Sequence, residues 1–441
     1  MEFKQYPSYK PSGVEWLGDV PEHWQVKPNK YVFKIQKRIA GTLGFNVLSI
    51  TQKGLKIKDI ESNAGQMAQD YSKYQIVNIG DFAMNHMDLL TGWIDIAKVK
   101  GVTSPDYRVF EVRNKKVNKE YFLHLFQLGY RNKILFAFGQ GAAQMGRWRL
   151  QSETFNTLKM PFPSIEEQEK IVAFLDTETT RIDNLIAKQE KLIELLEEQR
   201  KSIISHAVTK GLNPNAPMKD SGVEWLGDVP EHWEVFQLKS AIKGWRNGKW
   251  GNEPAAENNI CCVRVADFDR TKGVINTTKL TYRNYHGENI SECILDENSI
   301  LIERSGGGEK QLVGATVVNT LKQTAVCSNF ISLLNINPNR VNIFFLQKCF
   351  ENLYTRKVNE KSIKQTSGIQ NLDLKQYLQN NIAYPSLDEQ KSIVSYLDAE
   401  CKKIDLLVDK QYQLIRKLKN YRTSIISHAV TGKIDVREFG A

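Results

Sequence analysis

The residues best suited to chemistry in this chain are not nucleophiles or metal ligands. They are amides and cations set beside aromatic rings. Arg147–Trp148–Arg149 follows Gln140 and Gln144, and Trp245–Arg246–Asn247–Gly248–Lys249–Trp250 is a compact aromatic–basic stretch. Arg304, Lys361, Lys364, Gln365 and Gln370 fall later in the second half. Asn and Gln can pair bidentately with adenine, Arg with guanine, and Lys neutralises phosphate. The candidate nucleic-acid contacts are therefore Gln140, Gln144, Arg147, Trp148, Arg149, Trp245, Arg246, Lys249, Arg304, Lys361, Lys364, Gln365 and Gln370. Any one of them also suits a plain surface position or an aromatic core, so the argument rests on the clusters.

Motifs for catalysis are absent. Ser305–Lys310 (SGGGEK) is glycine-rich but lacks the G-x-x-x-x-G-K-[ST] pattern, and its setting between strands predicts a hairpin turn. There is no G-x-G-x-x-G, H-E-x-x-H, G-x-S-x-G or Asn-Pro-Pro-aromatic sequence, and no nuclease-like carboxylate–lysine cluster. All six cysteines lie in the second half and none forms C-x-x-C, which argues against a disulfide or zinc framework in a duplicated chain. His23, His232, His206 and His428 sit at repeated positions without a partner at ligand or triad spacing, so structural roles are expected of them. The expectation is a protein with no catalytic residue, metal or cofactor of its own.

The elements that must position these residues come in duplicate. Ser12–Trp24 (SGVEWLGDVPEHW) recurs at Ser221–Trp233. A second repeat, 222 residues apart, runs from Pro163 to Val208 and from Pro385 to Val430, and SIISHAVT closes both copies, its threonine just past the valine. In the opening motif, glycine and proline mark tight turns and the tryptophans supply apolar anchors. The later repeat has helical periodicity. Ile182, Leu185, Gln189, Leu192, Leu196 and Ile203, with Ile404, Leu407, Gln411, Leu414, Leu418 and Ile425 in the second copy, form a predicted coiled-coil seam. Proline before each helix, acidic residues in its first turn, and Gly211 or Gly432 after it mark the ends. Gln189 and Gln411 hold equivalent seam positions and are candidates for specifying register. The middles diverge, yet both alternate apolar and polar residues as half-buried strands do and then run into a short helix. They predict two mixed α/β readers of one fold in a common frame.

Charge is uneven. Of a net +10, residues 1–165 carry 23 Lys/Arg against 14 Asp/Glu, whereas residues 166–210 carry 7 against 10. A basic surplus on folded domains favours a polyanionic partner. No apolar run approaches the roughly 20 residues of a membrane span, and the N-terminus lacks a signal-peptide core, so the cytoplasm is the expected compartment.

With the duplicated SGVEWLGDVPEHW, the P-S-[IL]-[ED]-E-Q helix starts, the paired long helices and SIISHAVT at each helix end, the chain resembles the specificity subunit of a Type I restriction–modification system over nearly its whole length. The resemblance implies an α/β (α+β) fold with a pseudo-two-fold internal repeat, in which two long antiparallel coiled-coil helices separate two target recognition domains. It places those domains at 1–162 and 212–384, helical spacers at 163–211 and 385–433, and a tail at 434–441. It further implies double-stranded DNA, two methyltransferase subunits and restriction subunits as partners. S-adenosylmethionine, ATP and Mg would reside on those partners, and the modification would be adenine N6 methylation. The alternatives are a stand-alone bipartite DNA-binding regulator and an enzyme with an unrecognised site.

Overall fold

In a computed structural model, the structure describes residues 3–59, 70–113, 116–141, 148–257, 259–307, 311–366 and 368–439. It divides into two compact units, Met1–Gln189 with Gln413–Ala441, and Glu190–Tyr412. The units cut across the sequence boundaries, since each takes one reader and one end of each long helix. The expected tail is part of the first unit's packing: Ile434 and Val436 are buried, and the Phe439 ring meets Phe174 edge-on at 5.1 Å.

The first unit opens on a strand pair, Tyr9–Pro11 with Asp19–Pro21, made by the opening motif. Gln25–Pro28 then pairs with the distant Lys159–Phe162. The central sheet is antiparallel in the order Phe33–Gln36, Arg108–Val112, Phe82–Met84, Ile94–Ile96. Its inner face is aromatic. Phe82 stacks on Phe110 at 5.0 Å, and Phe33, Phe126 and Phe155 close around them. Helix Lys119–Arg131 covers this face. It starts at Asn118 because that side chain accepts hydrogen bonds from the Glu120 and Tyr121 amides, two donors with no partner inside the helix.

The second unit repeats the plan from unrelated residues. Met218–Asp220 pairs with Asp228–Pro230, and Glu234–Gln237 with Asn381–Tyr384. The central sheet runs Ile242–Asn247, Ile331–Ile336, Ser299–Glu303, Thr316–Val318, with Val274–Ile275 and Phe268–Asp269 added at the edge. The first four strands match the order in the first unit. Asn342 caps helix Ile343–Thr355 as Asn118 caps its counterpart. Among the described residues the only non-glycine positions with positive φ are Lys133 and Lys357, one just past each of these helices.

A buried glutamine ties each reader to the frame. The Gln168 side chain accepts from the Asn118 amide (2.8 Å) and donates to the Pro163 carbonyl (3.0 Å). Gln390 does the same with Asn342 (2.7 Å) and Pro385 (2.9 Å). A histidine of each opening motif closes on the next acid of the repeat: His23 on Glu167 and His232 on Glu389, each at 2.9 Å. The repeated histidines His23 and His232 thus hold the frame, while His206 and His428 are exposed.

The long helices are Ile165–Lys210 and Leu387–Val430. Within each unit the end of one lies antiparallel to the end of the other. In the first unit the Arg422 guanidinium donates to both carboxylate oxygens of Asp183 (2.9 and 3.1 Å). In the second, Arg200 donates to Asp405 (2.5 Å). Arg200 and Arg422 are equivalent repeat positions, as are Asp183 and Asp405, so one ion pair occurs twice and defines one register. That register puts Gln189 level with Arg416 and Gln411 level with Glu194. Each half-buried glutamine is therefore level with a charged residue, and the arginine–aspartate pairs carry the register instead.

The seam also differs from the expected one by a single residue at four places. Ile182, Leu196, Ile404 and Ile425 are buried, and Ile203 and Leu418 are half-buried. At the intervening levels the inward residues are Ile186, Ile193, Val408 and Ile415, whereas Leu192, Leu407 and Leu414 are 40–42% exposed and Leu185 is half-buried. The reason is that two adjacent apolar columns run along each helix. A step of three or of four from Ile182 lands on an apolar residue either way, and only contact with the partner helix selects the column.

Candidate nucleic-acid interface

In the first unit the candidate residues gather at the end of the central sheet where strand Phe82–Met84 stops. The following residue pair, Asn85–His86, meets a late bridge formed by Gln140 and Arg149. The Leu150 amide donates to the His86 carbonyl (3.0 Å), docking this segment on the sheet end. Gln140 and Arg149 are exposed there. Trp148 instead anchors the segment, with its ring stacked on Phe136 at 5.4 Å and its indole N–H donating to the Phe136 carbonyl (2.6 Å). Gln144 and Arg147 lie outside the described residues.

Beneath the bridge sits Arg108, which no sequence motif singles out. It is buried, its guanidinium lies 4.8 Å from the Phe155 ring centroid, and it donates to the Leu150 carbonyl (2.8 Å) and Ser152 Oγ (3.3 Å). Among the described residues its Nη1 is buried with no hydrogen-bond partner. Burial lowers its pKa to about 10, which leaves it charged at neutral pH. His86 beside it is pushed down to about 3, first by burial and then by Arg108 and Arg149, so it stays neutral. The sheet end thus brings together one buried cation, Arg108, and one exposed cation, Arg149.

The second unit builds the same corner. Strand Ser299–Glu303 stops, and Arg304 occupies the position of His86. The Leu372 amide donates to the Arg304 carbonyl (2.8 Å), as Leu150 does to His86. The docked segment is a full hairpin, Ile363–Thr366 with Ile369–Leu372, and Ser305–Gly306 adds a third strand to it. Ser305 and Gly306 of the glycine-rich stretch thus belong to a sheet, and residues 308–310 lie outside the described residues. Lys364 and Gln365 are exposed on this hairpin, with Lys364 paired to Asp373 (2.8 Å), and Lys361 is exposed on the short helix Val358–Ser362 that leads into it. Gln370 is corrected as a contact residue: it is 4% exposed and its side-chain oxygen accepts from the Val313 amide (3.2 Å), so it holds the hairpin down.

The aromatic–basic stretch joins the same corner through its backbone. Trp245 and Arg246 lie on the edge strand, Trp245 exposed and Arg246 paired with Glu292 (2.9 Å). Beyond the strand, the Gly248 amide donates to the Ile331 carbonyl (3.0 Å) and the Lys249 amide to Cys327 (2.8 Å). The Lys249 ammonium donates to the Asn289 carbonyl (2.9 Å). Gly248 is required here, because a Cβ would lie 2.1 Å from the Cys327 carbonyl oxygen. The neighbouring turn exposes Asn329 and Phe330, which no sequence signal picked out. With Trp250, Phe330 flanks a cavity of about 460 Å³.

No group of three His, Cys, Asp or Glu among the described residues is placed to hold a metal. The cysteines are free thiols, and burial pushes those at Cys261, Cys262, Cys327, Cys349 and Cys401 up in pKa, away from nucleophilic use. No described helix is long and apolar enough to cross a membrane.

Residues 21–197 and 230–416 match the family described as the Type I restriction modification DNA specificity domain. The Type I restriction enzyme MjaVIII specificity subunit of Methanocaldococcus jannaschii is 23% identical across 95% of this chain and 94% of that protein. The StySPI specificity subunit of Salmonella potsdam is 22% identical across 73% of this chain and 66% of its own. Among solved structures, a chain from work on complex assembly and conformational transition of the type I R-M system superposes with a TM-score of 0.64 at 17% identity, covering 93% of this chain and 98% of its own. The HsdS subunit from Thermoanaerobacter tengcongensis gives 0.51 at 16%, covering 94% and 98%. At such identities the superpositions speak for the fold.

Proposed function

The chain belongs to the Type I restriction–modification DNA specificity family and is a non-catalytic DNA-recognition subunit with two target recognition domains; from that premise we propose how its parts divide the work. Each reader contacts one half of an asymmetric, bipartite double-stranded DNA site with its sheet-end corner. Asymmetry follows from the unlike corners: one is floored by the buried cation of Arg108, the other by Glu303 paired to Arg270 at 2.8 Å. The observation that carries this reading is the repeated docking bond, Leu150 to His86 and Leu372 to Arg304. It sets different side chains at the same place on the same frame.

The long helices set the gap between half-sites. Their outward apolar residues, Leu192, Leu195, Leu406 and Leu407 in the second unit and Leu414 and Tyr421 in the first, supply the docking surface for two methyltransferase subunits. Those subunits bring S-adenosylmethionine and methylate adenine at N6. Restriction subunits add ATP- and Mg-dependent translocation and cleavage, and the assembly works in the cytoplasm against incoming DNA. The test exchanges residues 25–160 for those of another specificity subunit and maps genomic methylation. One half-site should change and the other persist. A change in both would overturn the two-reader model, and tight specific binding without any methyltransferase partner and with no adenine modified would favour the stand-alone regulator.

A further inference from the structure

The second corner carries a reading point finer than a whole domain. The turn Ser328–Ile331 is held by its own Ile331-to-Ser328 bond (3.0 Å) and by three other segments. The Ser328 amide donates to Val263 (2.9 Å), the Phe330 carbonyl accepts from the Arg304 and Ser305 amides (2.8 and 3.1 Å), and the Ile331 carbonyl accepts from Gly248 (3.0 Å). A turn tied this densely keeps its side chains in place, yet its central pair points to solvent. Asn329 is exposed with no hydrogen-bond partner among the described residues, and the Phe330 ring is 48% exposed. Trp250, 37% exposed and with the Arg283 guanidinium 4.1 Å from its ring centroid, lines the same cavity. Burying a phenyl ring stabilises a fold, so a rigid turn that leaves one out gains nothing for its own stability.

The chemistry at the turn is selective. A carboxamide can donate to adenine N7 while accepting from adenine N6, and an apolar ring can pack on the C5-methyl of thymine; both groups lie on the major-groove edge. The backbone bonds to Phe330 bring Arg304 alongside, a cation suited to a phosphate backbone, and those to Cys327 and Ile331 bring Lys249, whose ammonium lies 3.9 Å from Glu288. Glu303 also lines the cavity, but Arg270 neutralises it at 2.8 Å.

We propose that Asn329 and Phe330 read an A·T-containing step of the second half-site in the major groove, Asn329 pairing with the adenine and Phe330 packing on a thymine methyl against Trp250. This rests on the reading that the unit recognises DNA. The full chain is assembled with its methyltransferase subunits, and the second half-site is the one that exchange of residues 25–160 leaves unaltered. Duplexes then carry uracil in place of each thymine of that half-site in turn, which removes a methyl and no Watson–Crick bond. One such substitution should weaken binding several-fold for the natural chain and not for Phe330→Ala. Asn329→Ala should lower discrimination at an A·T pair of that half-site by roughly tenfold or more and leave the first half-site unchanged. The assignment is overturned if no thymine methyl matters, if the Asn329→Ala motif equals the natural one, or if that half-site has no A·T pair. Absence of any sequence-specific binding by the natural complex would instead overturn the DNA-recognition reading beneath it.

Discussion

Equivalent residues of the repeat do unequal work because their surroundings differ. Arg200 is 5% exposed and Asp405 35%, whereas Arg422 and Asp183 are 28% and 54% exposed. Truncating one partner of a buried pair strands the other charge, at roughly 3–5 kcal/mol, whereas exposed pairs contribute about 1 kcal/mol or less. Asp405→Ala should therefore cost about 2–3 kcal/mol, below the buried range because Asp405 is partly solvated and Glu197 stays 3.3 Å from Arg200. Asp183→Ala should cost about 1 kcal/mol or less. Urea unfolding of the two variants checks this, and equal losses would contradict it. Two half-buried histidines of the first unit set a pH response. Burial, then Arg131 and Arg422, holds His124 down at about 4, and His86 is held at about 3. The unfolded chain binds these protons near pH 6.5 but the folded chain does not, so their contribution is complete above 6.5 and declines as pH falls towards 4. The slope is about 1.4 kcal/mol per pH unit per histidine. His124→Phe should roughly halve the loss of protection that hydrogen exchange reads in the first unit between pH 6.5 and 5. An unchanged slope would remove His124 as a cause.

At the scale of elements, the helix pair is a seam with two ion-pair pegs. Inward residues step by four and three through Ile182, Ile186, Gln189, Ile193, Leu196 and Arg200. Seven inserted residues keep that alternation, whereas four would turn the seam by about 40° beyond a full turn. Inserting one heptad after Glu194 and another after Arg416 should lengthen the spacer by about 10.5 Å, close to three base pairs, with both half-sites unchanged. Methylation mapping reads the outcome, and altered bases within a half-site would refute the ruler role. The buried Gln168 and Gln390 explain why this frame tolerates unlike readers. Each fastens only a backbone amide and carbonyls, groups that almost any reader sequence supplies.

At the scale of the molecule, charge and architecture point to the same partner. The surplus lies on residues 1–165 and not on the acidic first helix, as expected if the readers meet phosphate and the helix meets protein. Six phosphates neutralised would weaken specific binding about a thousandfold between 50 and 200 mM salt through counterion release. A titration across that range checks it, and a flat response would mean that the basic surplus does not touch DNA. The repeat was legible in the sequence, and so was the common fold of the divergent middles. Gln370, Trp148, Arg108, Asn329 and Phe330 were not. Nothing in their types separates a glutamine that holds a hairpin from one that reads a base, or an exposed phenylalanine from a core one.

By itself, the sequence determined what local chemistry dictates. Exact repeats declared two copies of one frame, proline and acids started the long helices, glycine stopped them, and alternation marked the strands. The tertiary structure alone decided what depends on contact between distant segments. It chose between two adjacent apolar columns for the seam, because a second helix must cover one of them. It set the register through Arg–Asp pairs 205 and 239 residues apart. And it brought Trp250, Arg304, Asn329 and Phe330 to one corner, because the sheet order places the ends of sequence-distant strands side by side.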